Sequence, residues 1–267
     1  MALIAAKVAA LTMPSNRGWY PGHMVATQKT IRELAPYLTA FIEVVDARAP
    51  ELTRHRPLAV WVGKTPIIMV LNKEDLADSA MTRAWLDWYQ EQPGVLAMAL
   101  SAQSAGAGKK LKSAIMRLVN PPYRLSVVGL PNLGKSTVLN RMVGQRRVRT
   151  GAKPGITRGP QWIRLDDGWE WLDLPGVVTP SKSRDWRLQS LGVVPVASED
   201  ADDIAERIWN LYHPQADPED WLKWGQARGY LRQGGVVDRQ RTADALIMGF
   251  RNATLGRISL ERPWDPS

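Results

Sequence analysis

No cysteine occurs anywhere in the 267 residues. This excludes disulfides, thiolate metal sites and thiol nucleophiles, and it fits a reducing compartment. Histidine is nearly as scarce. His23, His55 and His213 are the only three, too few for a histidine-rich metal site. No apolar run approaches the length needed to span a bilayer, so no membrane role is expected. The opening "MALIAAKVAAL" is apolar but short, and Lys7 interrupts it. It reads as a frayed or docking helix rather than a secretory signal, and it is too poor in Arg and Ser for a transit peptide. Internal repeats and low-complexity segments are absent.

What is present is positive charge and enough apolar content for a core. Hydrophobic residues make up 45% of the chain and the net charge is +9. Such a balance favours a polyanionic partner such as nucleic acid, solubility being the plainer reading. The charge is unevenly spread. Arg141 to Arg158, "RMVGQRRVRTGAKPGITR", holds six basic residues and no acidic one. Pro195 to Gly225 reverses the sign, with "SEDADD" its densest patch. Arg232, Arg239, Arg241, Arg251, Arg257 and Arg262 then restore a basic tail.

Apolar spacing at Met24, Thr27, Ile31, Leu34 and Leu38 predicts a helix that Pro36 kinks or ends. "AFIEVVDA", "TPIIMVLNKEDL", "GVLAMALSA" and "RLSVVG" read as buried strands, the first ending at Asp46 and the third at Ser101. "MTRAWLDWYQEQ", "GKKLKSAIMRLVN" and "STVLNRMVG" read as helices between and after them. "QWIRLDD" and "GWEWLDLPG" suggest a hairpin turned at Asp167-Gly168. Continuous apolar strands alternating with helices imply an α/β fold, a mostly parallel sheet covered on both faces. Beyond Pro180 the pattern turns helical: "DADDIAERIWNLY" sets Ile204, Ile208 and Leu211 on one face with Ser198 as N-cap, followed by "PEDWLKWGQARGYL" and "RTADALIMGFRNATLG". Two domains are expected, 1–180 and a small all-helical 181–267.

The chemistry-bearing residues fall just after strand ends, where ligands bind in such sheets. "GLPNLGKST" matches a phosphate-binding loop through Gly129, Gly134, Lys135 and Ser136. Its glycines let backbone N–H groups turn onto phosphate oxygens at a helix start, Lys135 reaches the outer phosphates, and Ser136 offers a hydroxyl to Mg²⁺. Asn132, Leu133 and Thr137 complete the loop's nucleotide-binding set. A structural glycine turn is the competing reading. "LNKEDL" is weaker alone, but it ends a buried strand. Asp75 can accept from the N1–H and exocyclic amine of guanine, Asn72 can meet the N7/O6 edge, and Lys73 can lay its stem along the base. "SAQSA", opening at Ser101, offers the Ala102 N–H to O6. An ordinary loop with a charge pair is the alternative. In "DLPG", Asp173 is expected to hold Mg²⁺ through water and the Gly176 N–H to bond the terminal phosphate. Thr157, in "KPGITR", is the candidate hydroxyl that closes on Mg²⁺.

The guanine-reading stretch precedes the phosphate loop, so the five motifs run fourth, fifth, first, second, third. Joining the usual termini and opening a new break keeps the sheet intact, and neighbouring termini make that feasible. "WYPGHM", "DARAP", "NKEDL", "GLPNLGKST", "KPGITRGPQW", "DLPG" and the tail "GGVVDRQRTADALIMGFRNATLGRISLE" together resemble the circularly permuted ribosome-assembly GTPases over nearly the whole chain. The stretch from Ser181 to Ser198 departs most from that family's pattern. The resemblance implies a P-loop GTPase domain with motif order 4-5-1-2-3. It also implies GTP and GDP as ligands, Mg²⁺ as cofactor, and GTP hydrolysis that gates binding to the rRNA of an assembling large ribosomal subunit late in its maturation. A monomer in the bacterial cytoplasm, with mitochondrial relatives, is expected. An RNA-binding scaffold with GTP as a structural or switching ligand, and a P-loop ATPase or kinase, are the rival readings.

Many GTPases place a water-orienting Gln directly after "DxxG". Here Val177 occupies that position and cannot hydrogen-bond water, so slow unaided hydrolysis is expected, stimulated by the ribosomal subunit. The family's "PGHM" histidine is implicated in catalysis, which makes His23 the candidate; a packing or helix-start role is the alternative. In similar GTPases an Asn at the place of Asn132 helps bind K⁺, and a local turn bond is its other reading.

Overall fold

A computed structural model describes residues 21–92, 95–144, 161–165, 167–174 and 183–263. The opening apolar stretch, Arg146 to Arg158 with Thr157, and Gly176 and Val177 lie outside the described residues, as do the side chains of His23 and Asp173.

Helix α1 (Pro21–Leu34) ends in a 3₁₀ turn at Ala35–Tyr37, where Pro36 cannot continue the helical hydrogen bonding. Strand β1 (Ala40–Asp46), short helix α2 (Leu58–Val62), β2 (Ile67–Asn72), α3 (Ser79–Gln90), β3 (Leu96–Leu100), α4 (Ala107–Leu118), β4 (Arg124–Val128) and α5 (Lys135–Val143) follow. Next come β5 (Gln161–Arg164) and β6 (Glu170–Asp173), then α6 (Trp186–Ser190), α7 (Ala201–Tyr212), α8 (Asp220–Ala227) and α9 (Arg239–Arg251).

The six strands form one sheet in the order β3-β2-β1-β4-β6-β5. All neighbours pair in parallel except β5, which closes the edge as the antiparallel arm of the expected hairpin. The phosphate-loop strand β4 therefore lies between β1 and the strand leading to "DLPG", the arrangement that a rejoined chain requires. Every residue of β1 is buried, which is why the central strands read as unbroken apolar runs. Glu43 is the exception in that run. Burial pushes its carboxyl up to about 7, against the opposing pull of the His55 N–H at 2.7 Å and of Arg54.

Local signals start the helices. Asp78 accepts from Met81 N at 2.8 Å to cap α3, and Asp238 accepts from Arg241 N at 3.1 Å to cap α9. Ser198 does not cap α7. It opens a 3₁₀ turn, Ser198–Asp200, and Asp200 occupies the cap position without a side-chain bond. The expected face of α7 holds, with Ile204 and Ile208 buried and Leu211 half-buried.

The helices after residue 183 do not pack apart from the sheet. Ile204, Ile208, Ile247 and Phe250 belong to the same buried cluster as Phe41, Leu125 and Leu172. Burying each such side chain contributes about 1.5–3 kcal/mol. The chain beyond α9 then returns over the β1 side of the molecule. Leu260 N donates to Arg48 O at 2.7 Å, and Glu261 Oε2 accepts from Glu51 N at 3.0 Å and Leu52 N at 3.2 Å. Among the described residues no helix is long and apolar enough to cross a membrane.

Candidate functional site

The carboxyl ends of β1, β2, β3 and β4 converge on one cavity of about 330 Å³. The phosphate loop leaves β4 at Gly129 and enters α5 at Lys135. Two of its glycines are required by close approach. At Gly129 (φ +142°) a Cβ would meet Val44 O at 2.4 Å, and at Gly134 (φ +94°) it would meet Asn72 Nδ2 at 2.3 Å. Neither conformation nor space admits a side chain. Leu133 is buried beneath the loop, while Ser136 is exposed and Thr137 half-exposed in the first turn of α5. The N–H groups of that turn have no partner within the helix and form an anion-binding end.

Lys135 Nζ donates to Leu130 O at 2.7 Å, which folds the ammonium over the loop. Burial pushes its pKa down to about 8. A phosphate seated there holds the charged form. Affinity for GDP is therefore expected to fall as pH rises above about 8, by up to about tenfold per pH unit. Arginine stays protonated throughout, so Lys135→Arg should remove that dependence. Calorimetric titrations of both proteins between pH 7 and 9 check this. Parallel profiles would assign the fall to the base instead.

Asn72 is buried, and both atoms of its amide are engaged within the protein. Its Nδ2 donates to Leu133 O at 2.7 Å and its Oδ1 accepts from Ala102 N at 2.9 Å. The amide thus ties the phosphate loop to the "SAQSA" loop, and the Ala102 N–H that the sequence reading aims at guanine O6 is engaged with Asn72. Arg141 adds a second tie, donating to Ala102 O at 2.9 Å and Gln103 O at 2.6 Å. Its guanidinium serves this loop, which differs from the nucleic-acid role expected of the Arg141–Arg158 stretch.

Asp75 is exposed in the cavity wall beside Ser101 and has no hydrogen-bond partner among the described residues, so its oxygens face the cavity free. Lys73 adopts a left-handed backbone (φ +62°) and places Nζ 3.0 Å from Asp46 Oδ2. Asp46 is wholly buried. Burial alone would raise its pKa, but the charge and hydrogen bonds of Arg48, then of Lys73, hold it at about 2. Asn132, also left-handed (φ +60°), donates Nδ2 to Gly192 O at 2.7 Å. This is not the local turn bond of the alternative reading, because it ties the phosphate loop to a segment 60 residues away.

Sequence reasoning missed one wall of the cavity. Arg48, Leu191, Gly192, Arg251 and Asn252 line it. Arg48 stands in "DARAP", two residues past a strand end, and that position was the available signal. Arg251 was read as part of a basic tail. In that tail Arg232 pairs with Asp238, Arg239 pairs with Asp202, and Arg251 donates to Ser190 O and Gln189 O. His23 stands in the first turn of α1, and Asp173 ends β6.

Comparison with known proteins agrees with this geometry. The family model described as "50S ribosome-binding GTPase" matches residues 124–206. The chain is 30% identical to ribosome biogenesis GTPase A of Priestia megaterium, over 92% of its own length and 96% of that protein. It is 32% identical to the Thermotoga maritima protein of the same name, over 92% and 95%. Mitochondrial GTPase 1 of Schizosaccharomyces pombe is 28% identical over 98% and 94%. The GNP-bound structure of YlqF from T. maritima superposes with a TM-score of 0.70 at 26% identity, covering 90% of this chain and 99% of that one. A phosphate loop that follows its base-side loop in the chain, yet meets it at one cavity, is the permuted P-loop GTPase architecture, and the chain belongs to the ribosome biogenesis GTPase A family.

Proposed function

We propose that this protein hydrolyses GTP during late assembly of the large ribosomal subunit and holds ribosomal RNA in a nucleotide-dependent way. The observation that carries the reading is the convergence of the phosphate loop, Lys73, Asp75 and the Ser101–Gln103 loop on one cavity. Residues 1–180 carry the nucleotide motifs, and 181–267, with the basic stretch ahead of "DLPG", contact the ribosome. Arg257 and Arg262 are exposed and pair with no carboxylate among the described residues, so they suit phosphate contacts.

The loop's fit to phosphate is physical. Gly129 and Gly134 leave no room for a side chain, Lys135 is a desolvated cation, and α5 presents its N–H end. Asp75 selects guanine by accepting from its N1–H and amine. Asn72 keeps the two loops in register beneath the base. Ser136, Thr157 and, through water, Asp173 would hold Mg²⁺, and Asn132 and its loop would accommodate K⁺. When bound, Mg²⁺ would supply positive charge against the outer phosphates. The Gly176 N–H bonds the terminal phosphate, and His23 orients the attacking water that Val177 cannot.

The test is steady-state turnover with and without purified large subunits, for wild type and Asp75→Asn, with GTP and xanthosine triphosphate. Wild type should turn over GTP slowly alone and faster with subunits. Asp75→Asn replaces an acceptor with a donor facing N1–H, so its GTP affinity should fall about 10–100-fold while xanthine nucleotide binding improves. Turnover indifferent to subunits would leave a scaffold in which GTP is a structural ligand. Unchanged base preference would remove Asp75 from the site.

A further inference from the structure

One wall of the cavity is made by none of the five nucleotide motifs. Leu191 and Gly192, just after α6, and Arg251 and Asn252, at the end of α9, stand with Lys73 and Asp75 around the same space. Anything that fills the cavity against the base-side loops also touches the helical segment.

Two chains of hydrogen bonds connect that wall to the nucleotide motifs. The first starts at Asp46, a buried carboxylate shared by two cations. Lys73 Nζ lies 3.0 Å from Oδ2, and Arg48 grips both oxygens, Nε to Oδ1 at 2.9 Å and Nη2 to Oδ2 at 3.0 Å. Arg48 then donates through Nη1 to Phe250 O at 3.2 Å and Arg251 O at 3.3 Å. These are terminal carbonyls of α9 at the negative end of its dipole, Phe250 O also accepting from Ala253 N at 3.2 Å, and a guanidinium is a group suited to seat them. The second chain runs from Arg251, which donates Nε to Ser190 O at 2.9 Å and Nη2 to Gln189 O at 2.7 Å. Gly192, two residues on, accepts from Asn132 of the phosphate loop at 2.7 Å. A Cβ on Gly192, whose φ is +76°, would lie 3.4 Å from the Arg251 guanidinium carbon, so the two segments are in close contact.

Resting on the guanine-nucleotide reading of the cavity, we propose that the ends of α6 and α9 form the outer wall of the nucleotide site. Arg48 is the positioning residue that joins Lys73 to α9, and binding of the base and seating of the helical segment are one coupled equilibrium. A base that fixes Lys73 fixes one of the two cations on Asp46 and so restrains the other. Arg48, held by both oxygens, fixes the carbonyl end of α9 and with it Arg251 and the α6 segment. The coupling is reciprocal: whatever grips or releases the helical segment must change nucleotide affinity by the same factor. This route runs through the base. A ligand that fills only the phosphate loop leaves it unused.

The experiment is hydrogen exchange with mass spectrometry on the full chain with Mg²⁺, comparing no ligand, GDP and inorganic pyrophosphate. The amides of Leu191 to Val194 and Asn252 to Thr254 all carry internal hydrogen bonds and report on the wall. GDP should slow exchange in both stretches by about fivefold or more, whereas pyrophosphate should protect the phosphate loop and leave Asn252 to Thr254 unchanged. Arg48→Lys keeps the charge but loses the fork, so GDP protection of Asn252 to Thr254 should vanish. Its GDP affinity should fall about tenfold with pyrophosphate affinity unaltered. If that variant does not fold, Asn252→Ala on the exposed rim should weaken GDP alone, by about threefold. GDP binding with no protection of either stretch overturns the inference, as does pyrophosphate protecting Asn252 to Thr254 equally, or GDP affinity unchanged in the variant that folds. Failure of the wild-type chain to bind GDP at all would instead overturn the guanine reading beneath it.

Discussion

Asp46→Asn is expected to destabilise the folded chain by about 3–5 kcal/mol, read as a lowered midpoint in urea at neutral pH. The carboxylate is wholly buried and is the shared counter-charge of Arg48 and Lys73. An amide keeps the shape but turns an N–H₂ toward one guanidinium nitrogen and leaves Arg48, itself 1% exposed, without a counter-ion. Removing one partner of a buried pair is costly because the survivor stays desolvated. Acid titration gives an independent check with a definite sign. Asp46 sits at about 2 in the folded chain against an ordinary carboxyl value of 3.8. Its contribution, about 2–3 kcal/mol, is present above pH 4 and is lost as pH falls toward 2. That is less than the Asn cost, because a protonated carboxyl still accepts from Arg48. Asp46→Asn should therefore show a flatter loss of stability between pH 4 and 2. A variant within about 1 kcal/mol of wild type would mean that water or another group meets Arg48 when the carboxylate is gone.

The strands, their order of appearance and the two loops that meet at the cavity were legible because their signals are local. An apolar run of five to seven residues or a glycine pair at fixed spacing is written in adjacent letters. The roles of Asn72, Arg48 and Arg141 were not legible, for a common physical reason. Each donates to a backbone carbonyl of a distant segment: Leu133 O from Asn72, Phe250 O from Arg48 202 residues away, and Ala102 O from Arg141. Every residue carries the same carbonyl, so the acceptor leaves no trace in the residue types. The donor's letter fits equally well with a base, a phosphate or RNA. Arg251 shows the consequence. Its charge suggested nucleic acid, whereas its guanidinium fastens α9 to the α6 segment. The Ser198 cap failed for a different reason. A 3₁₀ turn takes up Ser198 to Asp200, so the α-helix starts two residues later than the serine's position implies.

His23→Ala is expected to lower the large-subunit-stimulated single-turnover rate by about 10²–10⁴-fold, the usual contribution of a positioned water-orienting or general-base group. His23 stands in the first turn of α1. Val177, in the position where many GTPases carry a water-orienting glutamine, offers no hydrogen bond, so the group must come from another element. Nucleotide affinity should stay near wild type in His23→Ala, because the imidazole acts on water and not on phosphate or base. Unstimulated turnover should fall less, since the free protein need not hold the start of α1 against the terminal phosphate. Complexes with the subunit should persist longer, because release awaits hydrolysis. A stimulated rate within about twofold of wild type would return His23 to a packing role at a helix start. The water would then have to be oriented by K⁺ held at Asn132 or by a group of the ribosome, and replacing K⁺ with Na⁺ in the same assay distinguishes these two.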